Sequence, residues 1–112
     1  MAVSPTSRAL QFCRAQGWRA AVVEHWNSYA KIRQDLFGWI DLVVLDGEQG
    51  VLGVQVTSRS NAASRRTKIL ASDTLAPWLA SGARAEVWSF AKQGPRGKRK
   101  VWNLKREVIE SQ

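Results

Sequence analysis

Two short apolar runs around a polar connection constrain this chain more than any other feature. Trp39–Leu45 (W-I-D-L-V-V-L) and Val51–Val56 (V-L-G-V-Q-V) flank Asp46–Gly50 (D-G-E-Q-G). Each run is dense in Val, Ile and Leu and too short for a typical helix, so the pair predicts two strands joined by a tight turn. Asp46-Gly47 suits a hairpin because Gly accepts positive φ without steric cost. One acid, Asp41, interrupts the first run, and one carboxamide, Gln55, interrupts the second. Side chains alternate along a strand, so Gln55 and Thr57 share a face opposite Val54 and Val56. A carboxylate buried beside a sheet is costly unless it is paired or holds a metal. An acid on one strand, with Gln and Thr two apart on the next, can converge on one point.

The flanking sequence supplies covering elements. Ser4-Pro5 begins a helix over Thr6–Gln16, with Ser as cap, Pro in the first turn and Gly17 as the stop. Trp18–Trp26 is apolar, aromatic and β-branched, and predicts one strand. Asn27–Gln34 reads as a polar connection leading to Asp35-Leu36-Phe37-Gly38 and the central hairpin. Ser60 or Asn61 can cap a helix over Ala62–Ser72, and Asp73-Thr74 a shorter turn over Leu75–Ala80, with Pro77 near its start and Gly82 at its close. Ala85–Phe90 alternates as a strand. Lys92–Lys100 (K-Q-G-P-R-G-K-R-K) is a basic loop, Val101–Leu104 pairs back as a last strand, and the tail to Gln112 is polar helix or coil. The resulting order, α-β-β-β-α-β-β, predicts an α/β domain with a mixed central β-sheet flanked by helices.

At 112 residues the chain suits one domain, spanning 1–112. The lone Cys13 falls in an apolar helical stripe, forms no internal disulfide and fits a reducing, cytoplasmic setting. The N-terminus lacks the apolar core of a signal peptide, and no apolar run approaches a membrane span, so no membrane partner is expected. Lys and Arg total 17 against 9 Asp and Glu, a formal net charge of +8. A domain this basic attracts polyanions, and nucleic acid, DNA or RNA, is the commonest one in a cell. Single His25, together with the absence of a C-x-x-C pair and of a G-x-x-x-x-G-K-[ST] loop, argues against a zinc finger and a P-loop ATPase.

G-W-I-D at Gly38–Asp41, followed by Q-V-T at Gln55–Thr57, resembles the motif of the PD-(D/E)XK nuclease superfamily, particularly its Holliday-junction-resolvase-like and VRR-NUC-like branches. In that resemblance Asp41 takes the motif aspartate, Gln55 the second acidic position and Thr57 the lysine position. The last two depart from the family pattern. The resemblance implies an αβββαβ restriction-endonuclease-like core and Mg²⁺- or Mn²⁺-dependent phosphodiester hydrolysis on DNA, structure-directed or weakly sequence-selective. It also makes a homodimer plausible, because such enzymes often cut two strands as pairs.

Within that resemblance Asp41 is the main metal ligand and Gln55 an oxygen ligand without charge. One carboxylate and one amide bind a divalent ion weakly, so another acid must help, and Asp35 and Glu24 are the candidates. Thr57 can position water but brings no positive charge. Lys68 on the following helix is the candidate replacement cation, with Lys31 as an alternative. Two basic clusters are candidates for phosphate contact: Arg59, Arg65 and Arg66 with Lys68, and Lys92, Arg96, Lys98, Arg99 and Lys100 in the late loop. The competing readings are a catalytically degenerate nucleic-acid-binding module of the same fold, and a small RNA-binding or regulatory protein of phage or mobile-element type. The latter leaves Asp41 unexplained. The six Trp residues are expected mainly in packing.

Overall fold

A computed structural model describes residues 3–110 of the chain. The first helix, α1 (Pro5–Gln16), is set by its ends. Ser4 Oγ accepts the Ser7 N–H at 3.1 Å, and Gly17 turns the chain out at φ 78°. Seven strands follow: β1 (Arg19–Val22), β2 (His25–Asn27), β3 (Ile32–Gln34), β4 (Leu42–Leu45), β5 (Leu52–Ser58), β6 (Arg84–Gln93) and β7 (Val101–Ile109). Between β5 and β6 lie a 3₁₀ turn (Arg59–Asn61) and helices α2 (Ala62–Leu70) and α3 (Leu75–Ala80).

Five strands form one sheet in the order β1-β4-β5-β6-β7, and β2 and β3 form a separate two-stranded ribbon. Neighbours in the large sheet are antiparallel except β5 and β6, which run parallel with Gln55 opposite Val87. The α2–α3 segment makes that parallel crossover, as parallel neighbours require. The architecture is thus α/β, with a mixed sheet between helices. Among the described residues, no helix is long and apolar enough to cross a membrane.

Alternation along β5 divides the interior. Leu52, Val54 and Val56 face α1, where they pack with Leu42, Val44, Ala9, Cys13 and Trp88. The opposite face joins Trp39, Ile40, Ala85 and Val87 to Ala62, Ile69 and Leu75 of the α2–α3 layer. Each fully buried aliphatic side chain contributes about 1.5–3 kcal/mol, so both faces are needed to hold a domain of this size. Gly53 makes room on the second face: a Cβ there would lie 2.8 Å from the Trp78 ring. Four tryptophans (Trp18, Trp39, Trp78 and Trp88) lie in or against these cores.

The structure corrects several expected boundaries. The single strand expected over Trp18–Trp26 is two. Val22 pairs with Leu42, the first residue of β4, and after one more bond, from the Val23 N–H to Asp41 O, the chain leaves the large sheet. His25–Asn27 pairs instead with Ile32–Gln34, inside the stretch expected to be a polar connection. The first hairpin strand starts at Leu42 rather than Trp39, because Leu36–Ile40 folds into a tight turn closed by Trp39 N–H to Leu36 O at 3.2 Å. The link from β4 to β5 is a six-residue loop, braced by Arg84 on Asp46 at 2.7 and 3.1 Å. Helix α2 ends at Leu70 rather than Ser72, and neither Ser60 nor Asn61 caps it through a side chain. The polar tail is strand as far as Ile109, and Ser111 and Gln112 lie outside the described residues. β7 pairs with β6 from Val101↔Gln93 to Ile109↔Ala85, its charges befitting an exposed edge.

Candidate metal centre and cleft

Asp41 occupies the bend that precedes β4. Its backbone is pinned on both sides: its N–H donates to Val54 O at 2.8 Å, and its carbonyl accepts the Val23 N–H at 2.8 Å. Its side chain prolongs the sheet ladder, since Oδ2 accepts the Val56 N–H at 2.8 Å and Gln55 Nε2 at 2.7 Å. Asp41 and Gln55 are 4% and 3% exposed, so this is a buried polar pair on the α2-facing side of the sheet. Both of these donors go to Oδ2, and the Asp35 carboxyl also lies against the Asp41 carboxyl.

Two more acids arrive from outside the sheet. Glu24 lies where the chain leaves β1 for the ribbon, and Asp35 follows β3. One carboxylate oxygen from each of Glu24, Asp35 and Asp41 lies within 4.8 Å of the others. Like charges so close cannot all ionise without a proton or a cation among them. Burial, and then the adjacent Asp35 carboxyl, push the pKa of Asp41 up to about 7, against the opposing bonds from Val56 and Gln55.

Beside this cluster Gln55 carries an unmet demand. Its Nε2 is used on Asp41, while its Oε1 is buried and has no hydrogen-bond partner among the described residues. A buried carbonyl oxygen left without a donor costs about 1–3 kcal/mol. Gln55, the three acids and Lys68 all line one open cleft of about 850 Å³.

Most of the expected site is therefore in one place: Glu24, Asp35, Asp41, Gln55 and Lys68 line the same cleft. Lys68 Nζ lies 3.8 Å from Asp35 Oδ2. Thr57 is buried further along β5 and lies outside the cleft lining, and Lys31 stands exposed in the turn of the ribbon. The basic clusters separate. Arg65 joins the acidic cleft, whereas Arg59 and Arg66 line a depression with Lys105. Arg59 is tied down there, donating to Ser89 Oγ at 2.9 Å and to Asn103 O at 3.0 Å. Lys92, Arg99 and Lys100 line a third depression with Trp102. Of the two basic clusters, Arg65 and Lys68 line the cleft that holds Asp41.

Sequence reasoning missed Arg33 and His25, which line the acidic cleft, and Arg33 lies 3.8 Å from Glu24. The signal for Arg33 was the run Ile32–Gln34, short enough to pass for a loop, whereas His25 lay near the end of the strand expected over Trp18–Trp26. Cys13 is buried in the α1-facing core, and burial raises its thiol pKa, which suits packing rather than nucleophilic chemistry. No family model, curated protein or solved structure matches the chain.

Proposed function

We propose that the protein is a metal-dependent endonuclease acting on DNA, with a site and core of the PD-(D/E)XK kind. The observation that carries this reading is Gln55 Oε1, a buried oxygen without a donor beside three clustered carboxylates. A divalent cation satisfies that oxygen and neutralises the acids at once.

The donor set fits Mg²⁺ or Mn²⁺, which take hard oxygen ligands. Oxygens around one Mg²⁺ lie about 2.1 Å from it, hence at most about 4.2 Å apart. The three acids offer oxygens within 4.8 Å of one another, close to that size. Asp41, Asp35, Glu24 and Gln55 would hold the ion. When bound, it would supply Lewis acidity toward a phosphodiester and its attacking water.

The chain's own residues supply the rest. The Val56 and Gln55 donors fix the Asp41 carboxylate before any ligand arrives. Lys68 brings to the cleft the positive charge that Thr57 lacks, where it can steady charge building on a phosphate. Arg65 and Arg33 line the same cleft and favour a polyanion at its mouth. The chain order α1, β1, β4, β5, α2, β6 supports the likeness to an αβββαβ core.

A second reading keeps the fold and removes the chemistry: a module that binds DNA without cutting. The position of Thr57 outside the cleft lining favours it. Nicking of supercoiled and branched DNA under Mg²⁺ or Mn²⁺ separates the two. Wild type is expected to nick and Asp41→Asn to bind without nicking. DNA binding by a folded wild type that cuts under neither metal overturns the enzyme reading in favour of the module.

A further inference from the structure

Phe37 sits in a backbone conformation that its side chain does not favour. Phe37 and Gly38 have φ of 54° and 82°, and the Trp39 N–H returns to Leu36 O, the pattern of a type I′ turn. Asn or Gly ordinarily takes the first of these positions, and a bulky residue there is an outlier. The ring gains little burial in return, since Phe37 is 54% exposed. Such outliers persist when surrounding structure holds them, and they concentrate at ligand sites. Here the Leu36–Ile40 bridge and a 3.3 Å hydrogen bond from Thr74 Oγ1 to Phe37 O hold the turn.

What the turn achieves is placement. Phe37 lines the acidic cleft and also an adjoining hollow of about 380 Å³, whose other walls are Thr74, Pro77, Trp78 and Ser81. Its ring meets Trp78 edge-on, with centroids 6.2 Å apart. The hollow's polar hydrogens are largely committed elsewhere: Trp78 Nε1 donates to Arg84 O, and Ser81 Oγ donates to Trp78 O. It therefore offers aromatic surface with little capacity to read hydrogen-bond edges.

We propose that Phe37 and the hollow it shares with Trp78 receive an unpaired nucleobase of the DNA strand whose phosphates occupy the acidic cleft. This rests on the phosphodiester reading of that cleft. Phe37 lines both the cleft and the hollow, so a strand that passes from one to the other meets its ring. A base inside a duplex presents no free face to it, whereas an extrahelical or single-stranded base does. Stacking of this kind tolerates any base, because every base has a π-face.

The test compares affinities of the full chain, under Ca²⁺ in place of Mg²⁺, for a fully paired duplex and the same duplex with one extrahelical base. Wild type is expected to favour the extrahelical base by about tenfold or more, whichever base is used. Phe37→Gly, which relieves the positive φ, is expected to bring that ratio close to one. Phe37→Tyr keeps the ring and is expected to keep the ratio. Thermal unfolding checks that both variants fold. A wild-type ratio near one, or a ratio that survives Phe37→Gly, overturns this inference while leaving the cleft reading standing. A wild type that binds neither DNA overturns both.

Discussion

Gln55 Nε2 donates to Asp41 Oδ2 at 2.7 Å, and the bond commits the amide end of Gln55 to holding an acid in place. The carbonyl end is left without a partner. Replacing Gln55 by Glu inverts this arrangement. A donor becomes a second carboxylate in contact with the first, so the metal-free protein is expected to lose about 2–4 kcal/mol above neutral pH. The same change adds a charged ligand, so Mn²⁺ is expected to raise the melting temperature of Gln55→Glu by more than that of wild type. Thermal unfolding with and without Mn²⁺ reads both effects.

Stability of the metal-free protein is expected to fall as pH rises toward neutrality. Asp41 has its pKa raised from an ordinary 3.8 to about 7, chiefly by burial and by Asp35. Its folded form keeps a proton that the unfolded chain has already released, so stability drops between those values and stays low above them, by up to a few kcal/mol. Asp46 works in the opposite sense. Arg84 holds its pKa down, and its contribution is lost only as pH falls below the usual carboxylate range. The decline between pH 3.8 and about 7 should therefore vanish in Asp41→Asn, whose amide stands in for the protonated acid. Melting temperatures across that window check it.

Lys68→Ala is expected to separate activity from stability. The ion pair with Asp35 spans 3.8 Å and the Lys68 side chain is 41% exposed, so its loss should cost no more than about 1 kcal/mol. Removing one of the two cleft cations that lie 3.8 Å from an acid should lower the nicking rate by about 10²-fold. Rates measured beside denaturation curves distinguish this from simple unfolding.

Arg59 and the late loop should behave differently although both are basic. Arg59→Ala breaks bonds to Ser89 and Asn103 that join the 3₁₀ turn to β6 and β7, and is expected to destabilise the fold by about 1–3 kcal/mol. Lys98, Arg99 and Lys100 are exposed, and replacing all three by Ala should leave unfolding unchanged. If they contact phosphates, the slope of log affinity against log salt should shrink by about 2–3. DNA titrations at several salt concentrations test this.

The central hairpin was legible because its signals are local: short runs of Val, Ile and Leu around Asp-Gly, with Asp41 and Gln55 standing out inside them. Pro5, Ser4 and Gly17 likewise marked α1 by residue chemistry alone. Other elements depended on partners that no local pattern reveals. β2 and β3 exist because β4 begins only at Leu42 and leaves His25–Asn27 to pair elsewhere. The far end of β7 carries Lys105, Arg106 and Glu107, so it reads as tail until β6 is seen beside it. The convergence of Glu24 and Asp35 on Asp41 was expected only as a choice between two acids, whereas the fold brings both. Thr57 shares a strand face with Gln55, but alternation alone does not say where along that face the cleft ends.

Mn²⁺ titration by calorimetry, at a pH above about 7 where Asp41 is ionised, tests the proposed metal centre most directly. Wild type is expected to bind Mn²⁺ at a site that Asp41→Asn loses and Gln55→Glu tightens. Equal binding by wild type and Asp41→Asn, or none by a folded wild type, would contradict it.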